Sequence, residues 1–233
     1  ALSGRARAHR HDSRRTAAIA RTSADETPAA DGRRSGWPGS ERTVNSRAAR
    51  WQQLALWGPA FAVLALHAVF ATTYGIFRDE LYYLACAARL DWGYVDHPPL
   101  VAGLTALWTG IFGDSLLSIR LLAALAGAGT VAAAGAIARR LGGGNFTGFA
   151  VGLSPIVLGL TSVLSMNVFD LLFWALACRL AVGLLDGDDG RLWLAFGAVA
   201  GAGLQNKISV LFLGFGLVGG LVAARRFETF RNR

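Results

Sequence analysis

The chain has 233 residues, 53% of them hydrophobic, with 29 glycines, two cysteines and a formal charge of +8. The charge is lopsided: residues 1–50 carry eleven arginines against five acids, and the rest is nearly balanced and rich in apolar runs. This argues against a disulfide-built domain and against a nucleic-acid binder, and it fits a basic cytoplasmic leader ahead of membrane spans.

Residues 1–50 hold almost no large apolar side chains. They cannot bury enough surface to fold, so a disordered tail is expected there. Residues 51–226 are expected to form the membrane region and 227–233 a short cytoplasmic end. Trp51 to Phe77 contains no Asp, Glu, Lys or Arg. It exceeds the roughly 20 residues that cross a bilayer and is too long for a signal-peptide core. The first span is placed near 52–74, with His67 inside it as a histidine that finds a backbone partner.

A polar segment follows at 78–98. Asp79 is expected to cap a helix over about 79–90, broken by Asp91-Trp92-Gly93-Tyr94. Cys86 is expected in this polar loop and Cys178 in a span, so the two are not expected to pair. Pro99 to Phe112 is apolar but short, which suits a helix lying in the membrane interface. Trp92, Tyr94 and Trp108 fit an interfacial aromatic belt.

A second span is expected near 116–138, ahead of Arg139-Arg140 and a turn at Gly142-Gly143-Gly144. A third is expected near 146–163, bent by Pro155, and a fourth near 166–185, carrying Asp170 and Arg179. The final apolar stretch is too long for one span, and Gln205-Asn206-Lys207 interrupts it. Two short helices, 192–205 and 208–224, would turn back at that triplet. Six spans then put the N-terminal tail, Arg139-Arg140 and Arg225-Arg226 on the cytoplasmic side. Residues 78–115, where acids outnumber bases, would lie outside.

The polar residues divide between ordinary and chemical roles. Asp79-Glu80 is either a helix start or a carboxylate pair in which one acid serves as general base for an acceptor hydroxyl. His97 is either a turn residue before Pro98-Pro99 or a hydrogen-bond donor to an anionic group; the prolines exclude a helical His97. Asn167 and Asp170 share one face of the fourth span. Lys207, the sole lysine, and Arg120 either bind phosphate or snorkel to the interface. There is no metal-site, Walker or dinucleotide motif, so neither metal nor cofactor is expected.

The stretch FRDELYYLACAARLDWGYVDHPPLVAGL resembles the first external loop of the glycosyltransferase family 39 type membrane proteins. These are relatives of protein O-mannosyltransferases and lipid A aminoarabinose transferases. SMNVFDLLFWALA and GAVAGAGLQNKISVLF are similar to later span signatures of the same proteins. The resemblance implies an all-α polytopic membrane protein: a partial GT-C helix bundle of about six spans, with interfacial helices in its first external loop. It implies sugar transfer, with inversion, from a polyprenyl-phosphate carrier to a protein, lipid or glycan acceptor on the outer face of the cell membrane.

The family's acidic pair maps onto Asp79 and Glu80, with Asp79 in the position of the catalytic base. An acid and a lysine before the double proline in the aminoarabinose transferases correspond to Asp96 and His97. Many relatives carry a fourth-span acid where this chain has Asn167, three residues before Asp170. With Arg120 and Lys207, these residues form the expected carrier-binding set. Members of that family are usually longer, so the chain is expected to be an N-terminal portion. From other classes, a transporter or channel subunit and a non-catalytic scaffold are the alternatives. A transporter would keep its ionisable residues near the bilayer midplane, whereas most of those here lie in the outer loop.

Overall fold

The computed structural model describes residues 57–144, 146–187 and 190–225. The expectations for 1–50 and 227–233 lie outside the described residues. All regular structure among the described residues is helical: α1 (Trp57–Phe70), α2 (Arg78–Ala87), α3 (Leu100–Phe112), α4 (Leu116–Arg140), α5 (Thr147–Gly152), α6 (Pro155–Thr161), α7 (Met166–Leu185), α8 (Leu192–Leu204) and α9 (Val210–Ala223).

The breaks have local causes. Pro155 has no N–H and disfavours a helical residue before it, and Ser154 is extended at ψ 137. The expected third span is therefore two short helices, α5 and α6. Ser115 starts α4 by accepting a hydrogen bond from the Ser118 N–H, and Ser165 starts α7 by accepting from the Asn167 N–H. After α4 the chain turns at Gly142, whose φ of +82 suits glycine.

α4 is the central element, packed most extensively against α7. Its small residues let neighbours close in. Gly127 lies under Thr161 of α6, and Gly129 lies under Leu172 of α7. Between apolar helices in lipid, such close approach gives dispersion contact where water-driven burial is weak. One core joins Tyr83, Val101, Ile119, Ala123, Leu164, Val168 and Phe169; a second joins Val63, Val131 and Val157.

α4 and α7 run parallel. Near their starts, Arg120 and the Leu164 N–H both meet Glu80. At their far ends, Arg140 pairs with Asp186 at 2.7 Å. α8 returns to the Glu80 end, and α9 turns back from it. An apolar cavity of about 330 Å³ is walled by Ala181 and Leu185 of α7, Trp193 and Phe196 of α8, and Leu217 and Leu221 of α9. A continuous helix rising about 1.5 Å per residue would carry Leu221 roughly 40 Å from Trp193. The hairpin expected at Gln205-Asn206-Lys207 is therefore present.

By length and composition, α4 and α7 suffice to cross a membrane; α1, α3, α8 and α9 are apolar but shorter. Among the described residues two helices reach span length, where the sequence predicts six spans; α8 and α9, at 13 and 14 residues, rise only about 20 Å each. Two local expectations also change. α2 begins at Arg78 with Phe77 as its cap residue, so Asp79 is not the cap. Cys86 is buried against the bundle rather than set in a polar loop.

Candidate functional site at one end of the bundle

The polar residues singled out from the sequence gather at the end where α4 and α7 begin, but they divide into three groups with different surroundings. The first is a buried ion pair. Glu80 has no solvent exposure and Arg120 has 2%. Arg120 Nε and Nη2 donate to the two Glu80 oxygens, each at 2.9 Å, in bidentate geometry. Arg120 Nη1 donates to the carbonyls of Ala71 and Tyr74, and Nη2 also donates to that of Gly75. Its guanidinium carbon lies 4.0 Å from the centre of the Tyr74 ring. Glu80 also accepts from the Phe77 N–H at 2.8 Å, which caps α2, and from the Leu164 N–H.

Every strong partner these two groups need is thus supplied by the protein. Glu80, expected beside Asp79 as a catalytic acid, and Arg120, expected on the carrier, bind each other in this structure. Together they fasten the chain after α1 and the start of α2 onto α4. Asp79, one residue earlier and so about 100° around the helix, points away from this pair. Its side chain is 36% exposed, and among the described residues its oxygen meets only the neighbouring Arg78, at 3.1 Å.

The second group is an aromatic box. His97 is buried, with its ring stacked on Tyr94 at 4.7 Å and flanked by Tyr83 and Tyr82. Its Nδ1 lies 2.8 Å from the Pro98 carbonyl. A carbonyl only accepts, so Nδ1 carries a proton, which leaves Nε2 as the other ring nitrogen. That Nε2 is buried with no partner among the described residues. Asp96 is exposed and accepts from the Tyr82 hydroxyl at 2.5 Å. This bond to a carboxylate pushes the Tyr82 phenol well above its ordinary pKa. Burial pushes Tyr83 and the Cys86 thiol upward as well.

The third group sits at the α8–α9 corner. Lys207 Nζ donates to Asn167 Oδ1 at 2.8 Å and lies 3.8 Å from Asp170 Oδ2. Ser209 donates a short hydrogen bond to Asp170 and accepts from the Trp174 indole N–H. Asn206, fully buried, donates to the Met166 carbonyl at 2.9 Å. Asn167 and Asp170 do share a face, as their spacing requires, and both turn it to Lys207. Ser209 and Tyr82 were missed from the sequence. Ser209 stands two residues beyond Lys207, and nothing in its local pattern marks it as the partner of Asp170.

The second and third groups are joined. The Leu100 N–H, directly after Pro98-Pro99, donates to the Gln205 carbonyl at 2.9 Å. The double proline leaves no N–H at 98 or 99, so Leu100 supplies the first donor after the turn. No group of three metal-binding side chains occurs among the described residues.

The described residues form a helix bundle with two apolar helices long enough to cross a membrane and a set of polar side chains gathered at one end. Residues 96–233 match the family model for dolichyl-phosphate-mannose-protein mannosyltransferase, and the chain belongs to that family. It is therefore a membrane glycosyltransferase of mannosyltransferase-like type. The matched region takes in Asp96, His97, Arg120, Asn167, Asp170 and Lys207; Asp79 and Glu80 precede it. No curated protein and no solved structure matches the chain.

Proposed function

We propose that the chain transfers a sugar, mannose on the family's description, from a polyprenyl-phosphate carrier to a protein hydroxyl on the extracytoplasmic face. In this reading the protein crosses the membrane several times. The site end lies outside and the end bearing Arg139, Arg140 and Arg225 faces the cytoplasm, as the distribution of arginines favours. Asp79 acts as general base, taking the proton of the acceptor hydroxyl as that oxygen attacks the anomeric carbon. The carrier phosphate departs with the bonding electron pair. Lys207, steadied by Asn167 and Asp170, offers its remaining N–H donors to that phosphate. Asp96 and His97 line the approach, and Glu80 with Arg120 holds Asp79 in register without touching substrate.

The observation that carries this reading is the division of labour within the acidic pair. One carboxylate is fully engaged in the core while its neighbour, on the same helix turn, keeps an oxygen open to solvent. A base must reach its proton directly or through one water, and of these two only Asp79 can. The test is mannose transfer from polyprenyl-phosphate-mannose to a peptide by the protein in membranes. Asp79→Asn preserves shape and removes basicity, and it is expected to lower turnover by about 10²–10⁴-fold. Turnover within a few-fold of wild type would place the base elsewhere.

A further inference from the structure

Toward the opposite end of the bundle from that site, Arg179 is a cation in an apolar helix without a protein partner among the described residues. It lies on α7, one of the two helices long and apolar enough to cross a bilayer. Six residues separate it from the helix end at Leu185, about 9 Å along the axis. It is partly buried, and no ion pair or hydrogen bond reaches its guanidinium among the described residues. An arginine at that depth needs an anion or water, and its neighbours on α7, Cys178 and Leu180, supply neither.

The surroundings narrow the ligand. Leu172 and Asp186 stand seven residues to either side of Arg179, two helical turns, so all three share a face. Leu172 packs over Gly129 of α4, and Asp186 pairs with Arg140 at the end of α4. Arg179 therefore sits along the seam between α4 and α7, between those two contacts. Among the described residues the acid at that end is Asp186, and Arg140 takes it. On α4, Ala136 shares the face of Gly129, so a small side chain borders the seam beside Arg179. The same end carries Arg139, Arg140 and Arg225, an excess of positive charge. The geometry points to a site for an anionic phospholipid: its phosphate is drawn below the interface to Arg179, and an acyl chain lies along the α4–α7 seam.

This site is separate from the transfer chemistry, and its test needs no turnover. The full chain is purified in neutral detergent and titrated with phosphatidylglycerol, with phosphatidylcholine in parallel, and bound lipids are counted by native mass spectrometry. One retained phosphatidylglycerol is expected. Arg179→Gln should weaken it roughly fivefold, as loss of one basic contact at a membrane surface does, while Arg179→Lys keeps most of the affinity. Phosphatidylcholine binding should not distinguish the three proteins. Equal phosphatidylglycerol binding by wild type and Arg179→Gln would overturn the proposal. So would stronger binding of polyprenyl phosphate than of phosphatidylglycerol, or a lipid-independent dimer lost in Arg179→Gln. Melting in phosphatidylcholine nanodiscs guards against a purely structural role: Arg179→Gln should melt there with wild type, and an equal loss of stability in both lipids would refute the lipid site.

Discussion

Glu80→Gln isolates the worth of the buried pair, because the substitution keeps volume and removes only charge. In the native protein the Glu80 carboxylate accepts from Arg120 Nε and Nη2 and from the N–H groups of Phe77 and Leu164. A glutamine amide has one oxygen. Its NH₂ must then face donors on Arg120 or on the backbone, and Arg120 keeps its charge at 2% exposure with carbonyls alone as partners. Removing one member of a buried pair costs about 3–5 kcal/mol, mostly through the charge left behind. Replacing both with leucine removes that stranded charge but still orphans the carbonyls of Ala71, Tyr74 and Gly75. The double variant is therefore expected to recover only part of the loss. The assay is equilibrium unfolding in mixed micelles, read by tryptophan fluorescence, for Glu80→Gln and the double leucine variant. If Glu80→Gln falls within about 1 kcal/mol of wild type, a desolvated ion pair cannot be present and the reasoning fails.

Three further outcomes follow from packing and burial. Gly127→Ala should lose about 1 kcal/mol, because a Cβ there comes within 2.7 Å of Thr161 Cβ and overpacking outweighs the helix-propensity gain. Gly103→Ala on α3, where nothing lies within 4 Å of the added Cβ, should instead gain stability in the same micelle titration. Cys86 should alkylate slowly at neutral pH, because burial raises its thiol pKa and lowers the reactive thiolate fraction. Its rate should climb as pH rises toward and past the ordinary thiol range; fast labelling at pH 7 by a soluble maleimide would contradict the burial.

Helix positions were legible because long uncharged runs, Pro155, Gly142 and the Gln205-Asn206-Lys207 triplet are local signals, and each acts where it stands. Boundaries set by a distant residue were not. Asp79 looked like the cap of α2, but Glu80 reaches back to the Phe77 N–H because Arg120, forty positions away, holds the carboxylate in the core. The two acids are neighbours in sequence, and only the arrival of α4 against α2 decides which one is buried. Asn167 and Asp170 could be read as one face from their spacing. Their partner Lys207 was visible as a lone lysine in a helix break, whereas Ser209 carried no signal. Cys86 was misjudged for a similar reason: α2 turns one side of a polar segment into the core, and composition alone does not say which.

The single hydrogen bond from Leu100 to the Gln205 carbonyl also sets an order of assembly. Glu80 and Arg120 both precede residue 205 by many positions, so their clasp can close while the chain is still emerging. The loop through Asp96 and His97 has no anchor at the α8–α9 corner until residue 205 has been made. At about 5–20 residues per second, that is roughly 5–20 s after Leu100 itself. The fold thus builds its rigid clasp first and closes the loop beside Lys207 last, so a chain halted before the corner would hold a packed bundle around an open site.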